Sequence, residues 1–179
     1  LFLHYDRRTL GDEPFGYMVE NREMRLAIKD RLPALPGVTI LAPDRVADSD
    51  RGTDGVTVRL ESGRMVRARL MVAADGRGSQ TRRAAGIPIT KFDYRQTGLV
   101  FTVHHELDHG NLAHEHFLPA GPFAILPLRH NRSCIVWTES SRTAPLIAGL
   151  DEDQFMAELA WRFGDHLGRL ERVSPVWQY

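Results

Sequence analysis

Apolar positions recur along the chain in three rhythms, and each predicts a different kind of element. From Asn21 to Leu32 the residues Met24, Ala27, Ile28 and Leu32 fall at helical spacing, with Asn21 as the N-cap and Pro33 and Pro36-Gly37 as the stop. A second stripe, Phe155, Leu159, Phe163 and Leu167 widened by Met156 and Ala160, predicts a helix over Asp151–Leu167. Asp151 caps it and Gln154 holds the capping-box position. Between the two helices a period of two prevails. Val56, Val58 and Leu60 alternate with Thr57 and Arg59 between Asp54-Gly55 and Ser62-Gly63, which predicts a half-buried strand, with Met65–Arg69 returning as its partner. Leu1–Tyr5, Val38–Leu41, Arg45–Asp50, Thr97–His105, Phe123–Leu128 and Cys134–Thr138 also read as strands. Leu112–Leu118 is read as pairing back on Thr97–His105 across a turn at Asp108–Asn111, and Arg129–Arg132 as a further turn. The third rhythm has no alternation. Leu70–Ala74 is apolar throughout, as in a strand covered on both faces.

That continuous run opens the stretch RLMVAADGRGSQTRRAAGI, Arg69 to Ile87. Asp75-Gly76 marks a turn, Gly78-Ser79 leads into a short helix with Arg82 and Arg83, Gly86 ends it, and Ile87-Pro88 leads away. A buried strand delivering an acid, two glycines and backbone N–H groups to one edge suits a nucleotide, because the acid can accept from ribose hydroxyls. The spacing Gly76-x-Gly78-x-x-Thr81 breaks the dinucleotide fingerprint, so a plain structural turn satisfies the same residues. Val38–Ala74 then reads as a parallel strand, a meander and the strand that carries Asp75, a sheet with at least one unpaired edge.

Composition removes several classes. With 42% hydrophobic residues, 179 residues can bury a sizeable core. Lys plus Arg and Asp plus Glu are 23 each, so no basic field points to nucleic acid. The single Cys134 rules out an internal disulfide framework and fits a reducing, cytoplasmic compartment; its strand-like setting reads as inert burial. No apolar run reaches the roughly 20 residues of a membrane-spanning helix. Gly78-Ser79-Gln80-Thr81 lacks the hydrolase elbow pattern, so Ser79 is not read as a nucleophile. A hairpin centred near Gly110 would set His104 against His116 and Glu106 against His114, a clip for a divalent cation. Polar residues on a wet hairpin face are ordinary, and no metal site is assigned. Pro119, Pro122 and Pro127 cannot all lie in central strands, so part of Phe117–Leu128 is a bulged or edge segment.

The string AADGRGSQTRRAAGI resembles the second FAD motif of the class A flavoprotein monooxygenases, the para-hydroxybenzoate-hydroxylase-like enzymes: Asp-Gly with a following Ser and Arg. GYMVENREMRLAI resembles the helix that carries flavin contacts in that family. FLPAGPFAILPL resembles a substrate-domain strand of its ubiquinone-biosynthesis branch, the UbiH/UbiF-type hydroxylases. The family's N-terminal βαβ unit and its later Gly-Asp motif are missing, and the chain starts at Leu1, so it reads as the middle of a longer protein.

The resemblance implies an α/β plus α+β fold. A connection over residues 1–16 would belong with the substrate domain. Residues 17–87 would form a partial FAD-binding domain, Rossmann-like and glutathione-reductase-type, without its N-terminal βαβ. Residues 88–179 would form a substrate domain with a mixed or antiparallel sheet and a covering helix. By motif, Asp75 would bind the FAD ribose, and Gly76 would admit the pyrophosphate. Glu20, Asn21 and Arg25 would lie near ribose and pyrophosphate, although Arg25 also reads as a solvated arginine. Arg82 would brace the Asp75 turn or face the nicotinamide nucleotide. Phe123, Ile125 and Pro127 would line the substrate cavity. The implied reaction uses NAD(P)H to reduce FAD and places one oxygen atom of O2 on an aromatic ring, most like a polyprenyl phenol. The fragment alone would be inactive. Peripheral association with the inner membrane or a biosynthetic complex would suit that substrate. Two rivals stand beside it: a non-catalytic scaffold homologue in a biosynthetic complex, and a nucleotide-binding protein of another class.

Overall fold

A computed structural model describes residues 3–179, which fall into two compact units: the described residues through Arg25 with Asp93–Tyr179, and Leu26–Phe92. Leu1 and Phe2 of the first expected strand lie outside the described residues, and Leu3 to Tyr5 form no strand. Helix α1 (Asn21–Arg31) carries the division between the units within its length. The Glu20 carbonyl accepts from the Met24 N–H at 3.1 Å, so Asn21 is the first helical residue rather than the cap. The expected apolar stripe forms, yet no residue of α1 is buried.

The unit Leu26–Phe92 is built on an antiparallel meander, β1 (Val46–Gly52), β2 (Gly55–Leu60) and β3 (Met65–Ala68). Val56, Val58 and Leu60 are its buried row, and Leu41, Val66, Ala68 and Met71 pack against them. Gly55 is required where it stands: its φ is +140°, and a Cβ there would meet the Ala68 carbonyl oxygen at 2.4 Å. Asp44 ties down the β2–β3 turn by accepting from the Ser62 hydroxyl at 2.6 Å. Two expected strands are absent. Val38–Leu41 is irregular, and Leu70–Ala74 is unpaired, with Leu70 and Val72 77% and 79% exposed. A strand apolar on both faces requires neighbours on both edges, and none of the described strands pairs with it. Helix α2 (Gln80–Ala84) follows the Asp75 turn. It ends as expected at Gly86, with the Ile87 N–H on the Arg82 carbonyl and the Gly86 N–H on the Arg83 carbonyl.

The other unit is an antiparallel sheet with helices on one face. Its strands are β4 (Gln96–His105), β5 (His114–Leu118), β6 (Gly121–Leu128) and β7 (Arg132–Ser140), followed by helices α3 (Ala144–Ala148) and α4 (Glu152–Phe163). Short strands β8 (Leu170–Arg172) and β9 (Trp177–Gln178) close it. The order is β5-β6-β7-β4-β8, with β9 also on β4. Leu99, Phe101, Val103, Phe123, Ile125, Ile135 and Trp137 point toward Phe155, Leu159, Phe163 and Leu167, forming one core. Full burial of each such large side chain contributes about 1.5–3 kcal/mol. The Asp151 carboxylate accepts from the Gln154 N–H at 2.9 Å, as its capping role requires. Ala160 is exposed rather than part of the stripe.

Arg162 staples α4 to the sheet. Its guanidinium lies 4.2 Å from the Trp137 ring centroid and 3.5 Å from Glu139, which accepts from the Trp137 N–H at 3.0 Å. Glu158 takes the other side at 2.5 Å. At the opposite end of α4, Arg172 of β8 pairs with Glu152.

Strand β5 pairs with β6, not with β4 as the hairpin reading had it. The two-residue link Pro119-Ala120 closes β5 onto β6. The residues after β4 turn away, Glu106 and Leu107 donating to Arg169 and Leu167 carbonyls. His104 therefore opposes Arg132 and Glu171, His116 opposes Phe123, and the proposed cation clip has no register to stand on. Among the described residues no group of three His, Cys, Asp or Glu side chains is placed to hold a metal. The prolines find their places: β5 pairing reaches only Ile125, so Pro127 sits where β6 has lost that neighbour, and Pro122 lies at the strand's start.

Histidines instead collect behind β5. His114 lies 4.7 Å from His166 between ring centroids and 6.4 Å from His116, and His166 stacks on Phe163. Burial, then neighbouring imidazoles, pushes His114 and His166 below the ordinary 6.5. His105, fully buried between the Leu107 carbonyl and the Ser133 hydroxyl, shifts the same way through burial. A depressed imidazole pKa favours the neutral form in the fold, so this stability is complete above pH 6.5 and lost as pH falls through and below it. The urea midpoint of this unit is expected to fall between pH 7.5 and 5.5, and less so in His114→Gln/His166→Gln. A midpoint unchanged over that range would contradict the assignment.

Candidate functional site

In the unit Leu26–Phe92 the turn after the apolar run gathers a small polar network on Asp75. Its Oδ1 accepts from the Ser79 hydroxyl at 2.6 Å; its Oδ2 accepts from the Thr81 hydroxyl at 3.1 Å and the Thr81 N–H at 3.2 Å. Those donors, Ser79 first, hold the exposed carboxyl down to about 2, so it is ionised at neutral pH. Ser79 also caps α2, its oxygen accepting from the Arg82 N–H at 2.9 Å, and it is the buried residue of the turn. Arg82 donates to the Arg77 carbonyl at 3.1 Å and Arg83 to the Gly78 carbonyl at 3.1 Å. Arg82 thus reaches back across the turn that follows Asp75. Gly76 has φ +79°, and nothing lies within 4 Å of where a Cβ would be. The space above it is open to a ligand's backbone contact.

These residues fit an FAD ribose. An ionised carboxylate offers about four acceptor positions, and three are filled by Ser79 and Thr81, which leaves one for a hydroxyl. The network also fixes the direction in which that lone pair points. Sequence reading named Asp75, Gly76 and Arg82 but missed Thr81 and assigned Ser79 no role. A serine directly before a short helix was the N-cap signal that could have found it.

In the other unit, Asn21 and Arg25 stand at i and i+4 on one exposed face of α1. Glu20, just before them, is turned elsewhere: Arg132 of β7 holds both its oxygens, Nη2 to Oε2 at 2.9 Å and Nη1 to Oε1 at 3.4 Å. Arg132 was not anticipated, since its partner lies 112 positions away and no local pattern marks it. Phe123 and Ile125 are fully buried among Trp137 and the α4 residues, which makes them core; Pro127 is half-buried. The sheet face turned away from α4 carries Val100, Thr102, Ala124, Leu126, Cys134 and Val136, an apolar surface that is mostly half-buried. Burial, then the Glu20 charge, raises the Cys134 thiol, in line with an unreactive residue.

Residues 17–169 match the family described as FAD binding domain. The chain is 53% identical, over its whole length, to the ubiquinone hydroxylase UbiL of Rhodospirillum rubrum, and spans 42% of that protein. It is 35% identical to the 3-demethoxyubiquinol 3-hydroxylase of Escherichia coli K12, with 96% of this chain and 43% of that protein covered. It is 31% identical to human mitochondrial ubiquinone biosynthesis monooxygenase COQ6, with 98% and 40% covered. The chain thus spans less than half the length of these relatives. Among solved structures, a flavoprotein/dehydrogenase from Cytophaga hutchinsonii superposes with a TM-score of 0.73 at 15% identity, over 92% of this chain and 42% of that one. That likeness speaks for the fold.

Proposed function

The chain belongs to the FAD binding domain family, and on that premise we propose that it is part of a flavin-dependent monooxygenase that hydroxylates an aromatic ring in ubiquinone biosynthesis. The observation that carries this reading is the match to the Rhodospirillum ubiquinone hydroxylase along every residue of the chain. The Asp75 turn supports it, because an exposed, ionised and pre-oriented carboxylate beside an open glycine suits a dinucleotide's ribose and pyrophosphate.

In this reading Leu26–Phe92 is a portion of a Rossmann-like, glutathione-reductase-type domain, and Leu70–Ala74 is a strand of its parallel sheet. Asp75 accepts from the ribose, Gly76 lets the backbone reach the pyrophosphate, and Arg25 with Asn21 approaches the phosphates from α1. FAD, reduced by NAD(P)H, supplies the oxygen chemistry when bound. The protein's own work is to orient the ring and keep water from it. The face with Val100, Ala124, Leu126 and Val136 serves that purpose better than Phe123 and Ile125, which α4 already covers. The substrate is a polyprenyl phenol, and the protein works in the cytoplasm at the surface of the inner membrane. No described helix is long and apolar enough to cross a membrane.

The test is the visible spectrum of the complete gene product purified without added cofactor. Oxidised-flavin bands, released as FAD on denaturation and bleached by NAD(P)H, are the expected result. A colourless protein that stays colourless with added FAD would replace this reading with the scaffold.

A further inference from the structure

We infer that Arg132 is a positioning residue for the cofactor helix: through Glu20 it ties the start of α1 to β7. Glu20 thereby acts as the link rather than as a cofactor contact. The inference rests on the flavin reading above and deepens it.

Three observations carry it. The pair is two-pronged, with the guanidinium held from behind by its Nε–H on the Arg129 carbonyl at 3.1 Å, so Arg132 is oriented before Glu20 arrives. The two side chains are 29% and 38% exposed, so the pair is partly shielded from solvent. Finally, the pair reaches from β7 to the residue directly before α1, 112 positions away in the chain. The Glu20 carbonyl accepts the first hydrogen bond of α1, and the Glu20 charge is felt two residues along β7, at Cys134. Fixing Glu20 therefore fixes the first turns, where Asn21 and Arg25 share a face. The sheet end of the substrate surface and the helix that meets the phosphates are joined by one ion pair.

The experiment uses the complete gene product with FAD removed, and titrates FAD by the quenching of its fluorescence. Arg132→Met and Glu20→Gln are each expected to weaken FAD binding by about tenfold, the scale of a slightly displaced binding group. The exchange Glu20→Arg/Arg132→Glu is expected to recover most of that loss, which loss of a packing contact alone would not allow. Melting of each cofactor-free variant checks that the fold persists. Loss in Glu20→Gln with none in Arg132→Met would mean that Glu20 touches FAD itself, and would overturn the inference. So would unchanged affinity in both, or an exchange that folds and recovers nothing. Failure of the flavin reading shows itself separately, as a wild-type protein that binds no FAD.

Discussion

Asp75→Ala in the complete gene product is expected to weaken FAD binding by about a hundredfold, because it removes a charge-assisted hydrogen bond of about 1.5–3 kcal/mol and the turn's central acceptor together. The second part distinguishes this site from an ordinary surface acid. Without the carboxylate, the Ser79 hydroxyl and both Thr81 donors lose their partner, and the turn that presents Gly76 is no longer held. Asp75→Asn should fall between wild type and alanine, since the amide keeps one acceptor oxygen and loses the charge. Equilibrium dialysis of the cofactor-free proteins against FAD measures all three. An alanine variant that purifies with its full flavin complement would remove Asp75 from the site.

Phe163→Ala is expected to cost about 3–5 kcal/mol of the stability of the sheet-and-helix unit, the range for truncating a fully buried aromatic. Phe163 is the last residue of α4, wholly buried, and stacked 5.4 Å from His166. Its removal opens a void where the helix end, the His166 loop and the sheet meet. Trp161, two residues earlier and 76% exposed, makes the control: its alanine variant should stay within about 0.5 kcal/mol of wild type. Urea unfolding followed by near-ultraviolet circular dichroism reads both. A Phe163→Ala loss below about 1 kcal/mol would mean that α4 is not fastened as described.

Local rules carried the sequence reading far in the sheet-and-helix unit and less far elsewhere. The alternation in β2 is a short-range signal, and so are the Asp151 cap and the Gly86 stop. Strand choice is not local. Leu112–Leu118 was rightly expected to contain a strand, but its partner was decided by a two-residue link competing with a longer one. Burial is not local either. Met24, Ile28, Leu70 and Val72 have the pattern of covered residues, and a pattern states only what a residue could cover, not whether a described neighbour does so. Helix α3 and strands β8 and β9 span five, three and two residues, too few for a period to register. At the candidate site, Asp75-Gly76 announced itself as a turn. Arg132 could not, because a long-range ion pair leaves no mark on the residues beside it.

The stapling of α4 has a photophysical side. Of the three tryptophans, Trp137 alone is sealed, stacked under the Arg162 guanidinium with its N–H on Glu139, while Trp161 and Trp177 are 76% and 58% exposed. Iodide in solution reaches the two outer indoles and not the inner one while the helix is seated. The unquenched fraction of the emission is therefore a built-in gauge of whether α4 still covers the sheet, and requires no label.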